Sequence, residues 1–289
     1  MCKWIQFFVT FILLLTSSVV TSATPVSISN WSAIGAQTWR TTFPLHTTLI
    51  DGASELYYPH SGNYVVATYE NSISPKQSLS IEGGIMTDAV RNIGSDSDWD
   101  NSKSKDLWYY GQFKTKAKGH FITFDWQQHT SKNTSLFYGY TYNSNYYSMT
   151  DGLYSITNYV AVNEPLPTLN SHYTMVYQGP HMGMIHKAPL TNKLTIVSSI
   201  SYSPWALAQG HGWWNLRNLD FKHVGSAQML DTMIGLYYKP KSGDTAITLG
   251  YRSQYFKLLK GWENTSPDII WDKATTIRHG YYFTAEKTF

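Results

Sequence analysis

Past Ala23 this chain has no cysteine; its single one is Cys2. That excludes a disulfide framework, a thiolate metal site and a cysteine nucleophile. Cys2 also comes before the apolar stretch that follows it, too early to be the acceptor of a lipoprotein anchor. A second absence is any later run of about 18 apolar residues, which excludes a membrane-spanning helix. Charge is scarce and nearly balanced: 14% of residues are charged and the net charge is +3, too little to argue for a nucleic-acid partner. No repeat of solenoid period and no low-complexity linker divides the chain.

What is present points the other way. Residues 1–23 read as a secretory signal: Lys3 is the basic start, Trp4 to Leu15 the apolar stretch, and Thr21-Ser22-Ala23 a small-residue cleavage site. That leaves 24–289 as the exported domain. Aromatics make up 16% of the chain, with 22 Tyr and 11 Trp, a load that suits two interfacial girdles around a membrane barrel. The final segment, His279 to Phe289, is an aromatic-rich strand closing on phenylalanine, the way bacterial outer-membrane barrels end. A chain that crosses a membrane without a helix must do so as closed β-structure, because only that satisfies its backbone polar groups in hydrocarbon.

Period-2 alternation predicts ten strands: Ser29–Phe43, Tyr57–Glu70, Leu79–Thr87, Leu107–His129, Ser135–Asn143, Tyr173–Lys187, Lys193–Trp205, Met229–Lys239, Thr245–Lys257 and Ile277–Phe289. In Thr245–Tyr251, for example, Ile247, Leu249 and Tyr251 share one face and Ala246, Thr248 and Gly250 the other. Short connections of turn residues alternate with long ones. The long ones are Pro44–Leu56, Asp88–Asp106, Ser144–His172, Ala206–Gln228 and Leu258–Thr276. The expected fold is therefore all-β: a transmembrane antiparallel up-and-down barrel of about ten strands. Its short turns would be periplasmic, its long loops external and both termini inside.

Chemistry is expected in the long loops. Asp96 and Asp98 are two apart, so on an extended backbone they share a face. Neighbouring carboxylates repel as anions, which lets such a pair hold a proton or polarise a water. The solvated acidic loop and the weak cation site remain alternatives. In the stretch from Tyr202 to Phe221, His211 is the only histidine and could act as a base. Equally, it could be one more loop histidine among the chain's ten. Arg217, Lys222, Arg252 and Lys257 fall near predicted external ends, where they could meet lipopolysaccharide phosphates or simply be solvated. The expected partners are outer-membrane lipid and a peptide or protein at the external loops. Nothing in the residues calls for a metal or a cofactor.

Three segments resemble the omptins, outer-membrane proteases built on ten-stranded barrels. Asp96-Ser-Asp98-Trp99 resembles that family's Asp-x-Asp-Trp. Tyr202-Ser-Pro-Trp205, followed by Arg217-Asn-Leu-Asp-Phe221, resembles its Tyr-Ser-x-Trp and Arg-Asp-Leu-x-Phe. Gly235-Leu-Tyr-Tyr238-Lys-Pro240 resembles its Gly-Tyr-Tyr-x-x-Pro, and Gly179-Pro-His-Met-Gly183 matches more weakly. The resemblance implies a cleft between two walls of the barrel mouth, with an Asp pair on one wall and an Asp-His pair on the other activating water. Asp96 and Asp98 match the first pair. The second falls on Gly212 and Trp214, neither of which can take a proton. Three readings follow: a non-catalytic barrel acting as a surface binding or structural protein; an endopeptidase that recruits His211 opposite Asp96 and Asp98; and a narrow passive channel.

Overall fold

The structure is a computed structural model that describes residues 25–45, 51–101, 107–240 and 244–288. The expected signal segment and Phe289 lie outside the described residues. Eleven strands follow one another: β1 (Pro25–Phe43), β2 (Gly52–Ser74), β3 (Gln77–Ala89), β4 (Arg91–Trp99), β5 (Tyr109–His129), β6 (Thr134–Thr157), β7 (Val160–Pro189), β8 (Leu194–Trp214), β9 (Leu219–Tyr238), β10 (Thr245–Glu263) and β11 (Ile270–Thr288). All pairings are antiparallel, and β1 bonds to both β2 and β11, which closes the sheet. β3 and β4 are two lengths of one stave, interrupted at Val90, and both lie between β2 and β5. The barrel thus has ten staves, as the alternation predicts. Among the described residues no helix is long and apolar enough to cross a membrane.

Most staves outrun their predicted ends, by a few residues on the short-turn side and by far more on the side of the long connections. The segment read as a loop over 144–172 is strand except for a two-residue turn at Asn158 and Tyr159, whose φ values of 51° and 64° suit a tight hairpin. The segment 206–228 is strand apart from a 3-10 turn at Asn215–Arg217, closed by Asn218 at φ 50°. The reason is length. β6 has 24 residues, which at a tilt near 45° span about 55 Å, against an apolar belt of about 25 Å. More than half of that height stands in water. There the outward side chains turn polar and the apolar alternation vanishes, while the backbone ladder continues.

The interior is filled in layers. Toward the outer end Trp39, Tyr58, Phe113, Tyr173, Phe221 and Trp271 form one aromatic cluster. At mid-height Arg278 is fully buried and donates from Nη1 to Tyr64 Oη at 2.8 Å and Asn145 Oδ1 at 3.0 Å. Its Nη2 donates to Gln254 Oε1 at 2.5 Å, and Gln254 in turn donates to Asp231 Oδ2 at 2.6 Å. This polar plate crosses the lumen. Below it, toward the short turns, a cavity of about 300 Å³ remains.

Candidate functional site

Near the outer end of β4, Asp96 lies beside Leu56 of β2 and Gly111 of β5, and Asp98 beside Ser54 and Tyr109. Asp96 is only 9% exposed, and among the described residues its Oδ1 has no hydrogen-bond partner. Both carboxylates stand in the water-facing part of the stave. Burial holds Asp96 well above the usual carboxylate range, and the Asp98 charge pushes it the same way; Arg217 and the backbone amide of Ser97 pull it back only in part. Burial also raises Asp98, against the Ser54 hydroxyl and Arg217. The pair can therefore keep a proton where isolated carboxylates would be ionised. Arg217, from the 3-10 turn between β8 and β9, supplies the facing positive charge.

The opposite wall is made by β8 and β9, where Gly212 pairs with Phe221. A β-carbon added at Gly212 would lie 2.1 Å from Cζ of Phe221. That ring is hemmed in by Trp39, Tyr173 and His223, with centroids 5.7, 6.3 and 5.2 Å away. Trp214 packs against the same cluster. The two positions that would carry a water-activating Asp-His pair are thus occupied by a glycine under a phenyl ring and by an indole.

His211 alternates with the inward Gly210 and Gly212 and points out of the barrel. Its Nε2 is 2.7 Å from Asp220 Oδ1, with both side chains about half exposed, and its ring stands edge-on to His172 at 6.3 Å. The structure brings Asp96 and Asp98 together with Ser54 and Arg217, and leaves His211 on the other face of the wall. The four basic candidates divide likewise. Lys222 and Lys257 are exposed on the outer surface. Arg217 faces the carboxylates, and Arg252 lies inside the lumen, where it pairs with Asp231 at 2.6 Å and Glu82 at 2.9 Å. His181, from the weaker motif, is also internal, with Nε2 2.6 Å from Asp125.

Sequence reasoning missed a basic stripe. Lys114, Lys116 and Lys118 alternate with the buried Phe113, Thr115 and Ala117, so all three ammonium groups lie on the outside of β5. Arg91 of β4 sits beside Lys116, and Lys118 Nζ lies 5.7 Å from the Tyr146 ring centroid. The signal was in plain view: lysine at every second position of a predicted strand.

No family model matches this sequence, and no curated protein matches it. Solved structures do match. The outer membrane protease OmpT of Escherichia coli superposes with a TM-score of 0.72 at 11% identity, over 95% of this chain and 100% of that one. The chain has an omptin-like fold. The translocator domain of autotransporter NalP from Neisseria meningitidis matches at a TM-score of 0.40 and 9% identity, covering 99% of this chain and 96% of that one. At 11% identity the OmpT likeness carries the barrel architecture and leaves activity to the residues.

Proposed function

We propose that this protein is an omptin-like barrel of the bacterial outer membrane that binds a peptide or protein at its outer mouth without hydrolysing it. The observation that carries the reading is the Phe221 ring lying over Gly212, with Trp214 beside it, on the wall facing Asp96 and Asp98. Peptide hydrolysis at such a cleft needs a base that takes a proton from water, a contribution of about 10²–10⁴-fold. Neither residue on that wall can supply one. The Asp96–Asp98 pair, able to hold a proton beside Arg217, offers hydrogen-bonding oxygens to a polar or basic side chain of the ligand. Refolded protein in lipopolysaccharide-containing micelles should leave basic peptides intact. Robust cleavage that disappears in an Asp98→Ala variant would overturn the reading in favour of an endopeptidase.

The lipid partner belongs to the outer surface. Lys114, Lys116 and Lys118, with Arg91 beside them and the exposed Lys222 and Lys257 farther round, form a polar collar above the lipid-facing belt. That collar suits the phosphates of lipopolysaccharide.

A further inference from the structure

The lower lumen is a cavity that the mouth does not use. It measures about 300 Å³, opens at the short-turn end and is lined by the inner ends of staves all round the barrel. Five carboxylates face it, those of Glu70, Glu82, Asp125, Asp231 and Glu286, against two permanent cations, Arg252 and Lys187. Arg252 is shared by Asp231 and Glu82. Glu70 accepts from the Ser78 hydroxyl at 2.9 Å and Glu286 from the Tyr237 hydroxyl at 3.3 Å. By formal charge the lining is net negative, with five carboxylates against Arg252 and Lys187. Low-dielectric walls focus such a field and draw cations into the lumen.

A second observation is independent of the charges. Ser203 and Tyr282 line the same cavity, each at least nine-tenths buried, and neither side-chain hydroxyl has a partner among the described residues. Buried polar atoms of this kind are normally satisfied, by water or by a ligand. The space holds about ten waters, or a ligand with about as many non-hydrogen atoms. The acceptors are spread round the wall: among the described residues no three His, Cys, Asp or Glu side chains converge closely enough to hold a metal ion. Dispersed carboxylates and hydroxyls suit several N–H donors along one flexible chain better than a single ion.

We propose that this inner vestibule is a binding site for a small linear oligo-ammonium compound entering from the short-turn side. The site is separate from the outer mouth, since the Arg278 plate lies between them. The probe is the triamine spermidine, titrated calorimetrically into the folded protein in zwitterionic micelles. Expected are one saturable site with a sub-millimolar Kd, weakening as salt rises, and at least a tenfold loss of affinity in the Glu70→Gln/Glu286→Gln variant. No saturable binding, an unchanged Kd in that variant, or Mg²⁺ binding as tightly as spermidine would each overturn the proposal. A second measurement does not depend on that variant folding. A Ser27→Cys variant places a thiol in the vestibule of a domain that otherwise has none past Ala23. A cationic thiosulfonate should label it several-fold faster than an anionic one, and spermidine should slow the cationic reagent. Equal rates, or no slowing, would overturn the assignment.

Discussion

In the outer half of β5, Phe113 and Ala117 point into the barrel and Lys114, Lys116 and Lys118 point out; in the inner half, Phe124 points out and Asp125 and Gln127 line the lumen. One strand therefore reverses its polarity along its length. Above the reversal it obeys the rule of water-soluble proteins, with aromatic rings packed inside and charge outside. Below, hydrocarbon is the outer solvent and the polar groups turn inward. The swap teaches where the membrane ends more directly than any single girdle residue. It also explains why an aromatic cluster fills the outer end while carboxylates and hydroxyl-bearing residues share the vestibule wall with fewer rings.

The boundary between the two regimes is the Arg278 plate, and removing it is the severest test of the comparison. Arg278→Ala would strip the donors from Tyr64, Asn145 and Gln254 at one stroke. Leaving these buried acceptors without their donor, and a cavity where the guanidinium lay, costs about 3–5 kcal/mol. Urea unfolding in micelles, with Lys257→Ala as an exposed control, should show a loss of that size for Arg278 and almost none for the lysine. A cost below about 1 kcal/mol would mean that the plate does not divide the interior. With the plate intact, the wild-type barrel in a planar bilayer should pass no steady current. Sustained open-pore conductance would restore the channel reading.

A smaller effect separates the mouth from an ordinary acidic surface. Asp96 is protonated more readily in the folded chain than in the unfolded one, mainly because it is buried. A carboxyl with a raised folded-state pKa favours folding below its unfolded value, and that contribution is lost as pH rises through the folded value. Wild-type stability should therefore fall between the ordinary carboxylate range and neutral pH. Asp96→Asn should flatten that slope and be the more stable chain at neutral pH. Unfolding midpoints compared at acid and neutral pH read this directly; parallel slopes would mean that Asp96 is effectively solvated.

The sequence was legible where lipid imposes alternation. Ile247, Leu249 and Tyr251 face outward, and Ala246 inward, as their spacing predicts. It was illegible where the same strands enter water, because outward positions such as Ser148 and Thr150 carry no apolar signal although β6 runs on to Thr157. In the site, the shared face of Asp96 and Asp98 followed from their spacing. The orientation of His211 did not, because a register shift between Ser203 and Ala206 resets which residues of β8 face the lumen. Tyr202 and Trp205, three apart, are both exposed as a result. The Asp220 partner of His211 lies across the hairpin, where spacing from Trp205 gives no hint of it. The place of Arg252 in the chain suggests the outer end, and the parity of β10 turns it inward.

The smallest expected effect on folding lies on the outer collar, and it sharpens the contrast between the two faces of β5. Lys116 and Lys118 are exposed, so reversing them to Glu should change stability by no more than about 0.5 kcal/mol. Arg252, equally basic, is held by Asp231 and Glu82 inside the lumen. Its replacement by Gln should cost several times more and leave lipid binding untouched. The readout that separates them is lipopolysaccharide retained through purification, or its affinity in mixed micelles. The Lys116→Glu/Lys118→Glu chain should fold normally and lose most of that lipid, because reversing two charges turns phosphate attraction into repulsion. If the collar variant retains lipopolysaccharide as the wild type does, the lysines are solvated side chains and the lipid contact lies elsewhere on the barrel.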